Sequence, residues 1–190
     1  MAKRPIFVVN DTQDNELISE VLIEFKWNPG IAPSQKRKNI KNLHKAAKEA
    51  KGLSKILEVS TKSPQKLGKS LSAFNLYVKP INGKAIPVES AYQGSKVFSN
   101  GGPFTDLYDK TPKDAKQDER IRTSGNITAF SFEGKTYPSL PLNAFYDWLY
   151  IRALQANEKL VKKIINYQAF TDIEFNPQRS ITVSYTHLTL

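Results

Sequence analysis

The chain has 190 residues and 39% hydrophobic content, with ten Phe, eight Tyr and two Trp. That is enough apolar surface to offset chain entropy in one compact domain, and too little length for a comfortable second. Net charge is +10 and cysteine is absent, which excludes disulfides, thiol nucleophiles and Cys-based zinc sites and favours nucleic acid, an acidic protein or phosphate-bearing ligands as partners, although a basic surface also serves solubility alone.

No apolar run approaches membrane-spanning length, and the charged start Met1-Ala2-Lys3-Arg4-Pro5-Ile6-Phe7 leads into no secretion signal, so a cytoplasmic protein without a membrane partner is expected. Residues 5–10 and 20–27 are β-branched and aromatic and predict strands, followed by a turn at Asn28-Pro29-Gly30. Ser34 to Lys51 predicts a helix, with Ile40, Leu43, Ala47 and Ala50 on one side, lysines on the other and Gly52 as its stop. The lysine face reads as solvated, with DNA contact as the functional alternative. His44, among lysines at 41–45, reads as a solvated helix position rather than a base.

Ile56 to Ser60 predicts a strand, Thr61 to Ser70 a Lys/Ser/Gly-rich loop, and Asn82-Gly83 a hairpin-type turn. Pro87 precedes a predicted short helix over Val88 to Phe98, and Gly101-Gly102-Pro103 breaks the chain. Asp109 to Gly125, strongly charged, reads as a mobile connection or exposed helix; Ile127 to Phe132 and Lys135 to Tyr137 form a predicted hairpin around Glu133-Gly134. Leu142 to Ile165 is the longest predicted helix, and its aromatics need only a core role. Neither repeat nor interdomain linker is legible, and the class is α+β. The last stretch, Val183 to Leu190, reads as foreign, the product of a sequencing adapter, so that the natural chain is expected to continue past Ile181 or Thr182. With His187 set aside, His44 is the remaining histidine, and a Ser-His-Asp triad or multi-His metal site is not expected.

Chemistry concentrates in the segment Pro87 to Phe98. On a helix, Glu89, Gln93 and Lys96 fall at i, i+4 and i+7 and share a face, near a helix start whose positive end favours anions such as pyrophosphate. The bland alternative is a surface Glu–Gln–Lys stripe that serves helix stability.

Ser72-Ala73-Phe74-Asn75-Leu76, followed by Glu89-Ser90-Ala91-Tyr92-Gln93-Gly94-Ser95-Lys96-Val97-Phe98, resembles the NADAR (YbiA-like) superfamily. Its members carry a Phe-Ser-Asn-Phe-like element and then a Glu-His-Tyr-Phe-Gln-Ala-Gln-Lys-Phe-like helix. Glu89, Tyr92, Gln93 and Lys96 keep register, whereas the small residues depart and the closing aromatic, Phe98, is shifted by one. Leu57 to Ile181, with Ser95 to Pro103 and Ala144 to Tyr150 among the matching stretches, is similar to the branch of antitoxins found beside DarT-type DNA ADP-ribosyltransferase toxins (DarG-like). The acidic Trp-Gly-Asp-Gly-like motif of NADAR proteins has no match here.

The resemblance implies a single compact NADAR-like fold, with residues 1–52 as an N-terminal extension on the same domain and 53–182 as the catalytic domain. It implies an N-glycosidase that removes ADP-ribose from guanine bases in DNA, needing neither metal nor cofactor, with ADP-ribosylated DNA and a cognate DarT-type toxin as partners. Glu89 would stabilise oxocarbenium charge, orient a ribose hydroxyl or activate water. Lys96 would neutralise the pyrophosphate or, with a depressed pKa, attack ring-opened ribose as a Schiff-base nucleophile. Gln93 would hold a hydroxyl or order Glu89. Phe74 and Tyr92 are candidates for stacking on a base, or for the core. Ser72, Asn75, Gly101 and Gly102 are candidate phosphate or ribose contacts, and Lys69 a phosphate contact. Asp147, Asp172 and Glu174 are reserve carboxylates. The alternatives are a non-catalytic module that blocks DNA or toxin, and an N-glycosidase acting on a phosphoribosylaminopyrimidine of riboflavin synthesis.

Overall fold

A computed structural model describes residues 1–10, 16–141 and 143–175; the stretch 183–190 that reads as foreign lies outside them. In chain order the first elements are β1 (Ala2–Val9), β2 (Ile18–Phe25), α1 (Pro33–Lys51), β3 (Ile56–Glu58), α2 (Lys66–Leu71), β4 (Tyr77–Val78), β5 (Ile86–Pro87), α3 (Val88–Gly94) and β6 (Lys96–Phe98). A 3₁₀ turn (Thr105–Asp109) leads to α4 (Pro112–Gln117), α5 (Arg120–Thr123), β7 (Ile127–Phe132), β8 (Lys135–Pro138), α6 (Ala144–Gln155), α7 (Glu158–Ile164) and β9 (Ala169–Thr171). The class is α+β, and two compact units divide the chain: residues 1–72 with 159–190, and residues 73–158. Among the described residues no helix is long and apolar enough to cross a membrane.

The first unit is built on a four-stranded sheet in the order β2-β1-β9-β3, with β1 antiparallel to both neighbours and β3 parallel to β9. Helix α1 lays the stripe Ile40, Leu43 and Ala47 on Ile6, Ile23, Phe25, Ile56, Ala169 and Ile173, a fully apolar seam. Gly52 ends the helix in the left-handed conformation, φ 65°, with its N–H on the Lys48 carbonyl. Where a loop over 61–70 is expected, α2 forms from Lys66. Gly68 lets that helix lie directly on β3, since a Cβ there would fall 1.9 Å from the Glu58 carbonyl oxygen.

The second unit carries the hairpin β7–β8, extended by β6 on the other edge of β7. Its two turn residues, Glu133 and Gly134, take φ 51° and 72°, the pair of positive values that a tight hairpin needs. An aromatic core follows: Phe130 stacks on Phe145 at 4.5 Å, and Phe132, Tyr137 and Trp148 close around Phe145. The predicted helix over 142–165 is two helices. Asn157 breaks it, its side chain donating to the Ala153 carbonyl at 2.8 Å and its N–H to the Leu154 carbonyl at 2.7 Å, so that the ladder stops and restarts. The charged stretch 109–125 is ordered as short helices, with Arg120 clamped between Asp106 and Asp118.

Candidate functional site

The helix expected over Val88 to Phe98 ends at Gly94, and Lys96 begins a strand. Two local facts decide this. Lys96, Val97 and Phe98 pair with Phe130, Ala129 and Ile127 of β7, so the ladder takes backbone groups that a longer helix would use. At the junction a Cβ on Gly94 would sit 2.6 Å from the Tyr108 ring, so only glycine permits this approach. The helix start is also not an open anion site, because the N–H groups of Val88 and Glu89 donate to the carbonyls of Leu76 (2.9 Å) and Ala73 (3.1 Å). Those bonds instead fasten the Phe74-Asn75 segment against the first turn of α3.

Although Lys96 has left the helix, the three polar side chains still meet. Gln93 Nε2 donates to Glu89 Oε1 at 2.9 Å, and Lys96 Nζ donates to Gln93 Oε1 at 2.7 Å. Glu89, Gln93 and Lys96 are 4%, 5% and 8% exposed, a depth at which polar groups must be satisfied from within. The amide of Gln93 does this for both neighbours, its NH₂ facing the carboxylate and its carbonyl the ammonium. The Lys96 amine lies 4.6 Å from the Tyr92 ring centroid, a cation–π position. From α4, Lys116 brings its own amine to 3.5 Å from Glu89 Oε1 and 5.6 Å from the Phe74 ring, while its side chain stays 58% exposed.

Burial holds the Lys96 amine down to about 8; Glu89 opposes that shift and Lys116 adds to it. Burial, then the charges of Glu89 and Asp147, pushes Tyr92 up to about 12. Tyr92 also stacks on Phe130 at 5.5 Å and meets Tyr146 edge-on at 5.0 Å, so its ring belongs partly to the core. Asp147, buried on α6, is the reserve carboxylate that acts on this cluster.

The remaining candidates divide. Phe74 is half-buried and Asn75 exposed beside α3. Gly101 and Gly102 take φ 154° and 83°. The Gly101 carbonyl accepts from Phe98 N at 2.8 Å, and a Cβ on Gly102 would meet the Lys96 carbonyl oxygen at 2.4 Å, so these glycines shape the turn that supports the lysine. Lys69, exposed, and Ser72, buried, belong to the first unit, as do Asp172 and Glu174.

Two charged groups placed by the fold escape the sequence reading. Lys116 lies in the charged stretch and carries no signal there; only the fold brings it to Glu89. Glu58 is wholly buried on β3, accepting from Ser60 Oγ (2.7 Å), Thr171 Oγ1 (2.6 Å) and Ile173 N (2.9 Å). A carboxylate inside the apolar run Ile56-Leu57-Glu58-Val59 is a readable sign. Desolvation and the nearby Asp172 raise its pKa. His44 is a correction: it is half-buried, bonded through Nε2 to Thr171 Oγ1 at 2.8 Å, and burial with the charge of Lys48 holds it down to about 4. The partner sits far along the chain on β9, out of reach of any helical pattern.

A family model described as DarT1-associated NADAR antitoxin matches residues 2–188. No curated protein matches the chain.

Proposed function

Since the chain belongs to the family of DarT1-associated NADAR antitoxins, we propose that it acts by catalysis, as an N-glycosidase that removes ADP-ribose from guanine bases in DNA. The observation that carries this reading is the buried relay Glu89–Gln93–Lys96, which sets a carboxylate and a desolvated amine on the two ends of one amide. Such an amine, held down to about 8, keeps a substantial neutral fraction near neutrality and is a nucleophile as well as a cation.

Opening of the ribose ring leaves C1 double-bonded to the guanine nitrogen, with the former ring oxygen protonated. Neutral Lys96 Nζ adds to C1, forming a C–N bond. Over this exchange the amine gives up two protons and the guanine nitrogen takes up two, so that guanine leaves neutral with the electron pair of its bond to C1 and a neutral lysine imine remains. Water then adds to the lysine imine, returning the amine and the aldehyde form of ADP-ribose, which recloses. Glu89 is the acid–base group for these transfers, and Gln93 fixes its distance from the amine. Lys116, exposed and beside Glu89, supplies positive charge to the diphosphate.

The test is release of ADP-ribose from a modified oligonucleotide. Glu89→Gln is expected to slow it by at least about 100-fold with the fold intact, and full activity in that variant removes Glu89 from the mechanism. Lys96→Arg keeps the charge but cannot form an imine. Loss of release, together with borohydride trapping of ADP-ribose on the unsubstituted protein, supports the nucleophile; wild-type release in Lys96→Arg reassigns the lysine to phosphate binding.

A further inference from the structure

The first unit carries two adjoining clefts that the glycosidase reading leaves unused. One, of about 640 Å³, is lined by Arg37, Lys41, Lys45 and Lys48 of α1, with Glu49 as the single acidic residue in its wall. The other, of about 650 Å³, is lined by Lys48, Lys55, Lys162 and Lys163 together with Gln65, Asn166 and Tyr167. His44 and Lys48 border both, so the two clefts form one groove. Seven cations thus face a single carboxylate, and that carboxylate is paired with Lys45 at 3.8 Å. Among the described residues, Arg37, Lys41, Lys48, Lys55 and Lys163 make no ion pair.

Solubility does not account for this arrangement. A cation held for solubility gains by standing apart from other cations, whereas here like charges are gathered along a concave wall, where self-repulsion is greatest and a polyanion gains most. The spacing also has a match. Arg37, Lys41, Lys45 and Lys48 follow one another at intervals of four, four and three on α1, along the flank of the apolar stripe Ile40, Leu43 and Ala47. They span about 16 Å of helix axis, the axial length of about five phosphates on one DNA strand. A small phosphorylated ligand needs one local cluster and leaves most of such a row idle.

We propose that this groove binds the phosphodiester backbone of DNA. Its contacts are with phosphates, so it holds DNA without regard to base sequence, and the chemistry at Glu89 and Lys96 supplies the selection for modified guanine; this division of labour rests on the glycosidase reading above. Binding is measured with the full chain on an unmodified fluorescein-labelled 20-base-pair duplex, across a series of salt concentrations. Lys41→Glu, Lys48→Glu and Lys163→Glu are combined, all three being exposed positions. Lys3→Glu, Lys26→Glu and Lys135→Glu, also exposed and outside the groove, form the charge-matched control.

The groove variant is expected to lose at least about tenfold in affinity at 0.1 M salt and to flatten the log–log salt dependence by about 2 to 3. The control should stay near wild type, and the groove variant should still release ADP-ribose from a short modified dinucleotide. Unchanged affinity and slope in the groove variant would overturn the proposal, and so would an equal loss in the control. Loss of toxin binding with DNA binding intact would assign the groove to an acidic protein surface and overturn it as well. If unsubstituted protein released no ADP-ribose from any substrate while DNA binding still required the groove, the glycosidase reading would fall and the groove would stand.

Discussion

Lys96 pays for its position in solvation. Holding an ammonium at 8% exposure is unfavourable, and the Gln93 carbonyl and the Tyr92 face recover only part of the lost hydration. The folded chain therefore gives up this proton at about 8, well below the ordinary value of 10.5 for a lysine. Between those two values the unfolded chain binds more protons than the folded one, so stability rises with pH. The sign is fixed: the penalty is present in full below pH 8 and fades as pH climbs toward that of a free lysine. A Lys96→Met chain lacks it. Comparing denaturant midpoints from pH 7 to pH 9, the wild-type protein should gain on Lys96→Met by about 1 kcal/mol or more, and a pH-independent difference would mean that the folded chain keeps this amine charged up to the ordinary lysine range. The same proton explains why a nucleophilic role predicts ADP-ribose release that rises through pH 8.

At the scale of elements, the site depends on the change from α3 to β6 within one residue, Ser95. A continuous helix would leave Lys96 near its expected face but would strip β7 of a pairing partner and pull the amine away from its supporting turn. Gly94 is where the two elements are made compatible, since any side chain there strikes Tyr108, itself bonded to Ser95 Oγ at 2.9 Å. Gly94→Ala should cost about 1–3 kcal/mol by overpacking, read as a lowered midpoint in denaturant, and should slow ADP-ribose release further than the stability loss accounts for. A variant with wild-type stability would show that the Tyr108 ring can move aside. Arg152 anchors a second junction, reaching from α6 to both oxygens of the hairpin residue Glu133 and to the Lys79 carbonyl at 3.1 Å. That clamp keeps Glu133 in its left-handed turn.

Across the whole chain, a net charge of +10 implies self-repulsion that grows in acid as carboxylates lose their charge. The first unit adds a specific term. His44 takes up a proton at about 4 when folded and at 6.5 when unfolded, so the unfolded state gains protons first as pH falls. Stability from this group is present above 6.5 and lost as pH drops toward 4. Wild type should therefore weaken relative to His44→Gln between pH 6.5 and 4.5, by about 2 kcal/mol or more in unfolding experiments; parallel pH profiles would place the histidine in contact with water. Thr171 links this ring to Glu58, so the buried polar chain joins α1, β9 and β3 and ties together the elements that flank the apolar seam.

Much of this protein is written in local pattern. The strands at both ends of the first hairpin, the basic amphipathic α1 with its glycine stop, the β7–β8 hairpin and the Glu89–Gln93 pair are set by alternation, helical spacing and turn chemistry that act over a few residues. Family membership is likewise legible, because the residues around Phe74 and Glu89 to Phe98 keep their register. The tertiary structure alone decided where α3 ends, that Asn157 divides the last long helix, that Lys116 meets Glu89, and that His44 and Glu58 share Thr171. Each of these depends on a partner distant in sequence, whether a strand to pair with, a ring to approach or a hydroxyl to bond. Periodicity records which face of an element is apolar, but not what arrives on the other side of it.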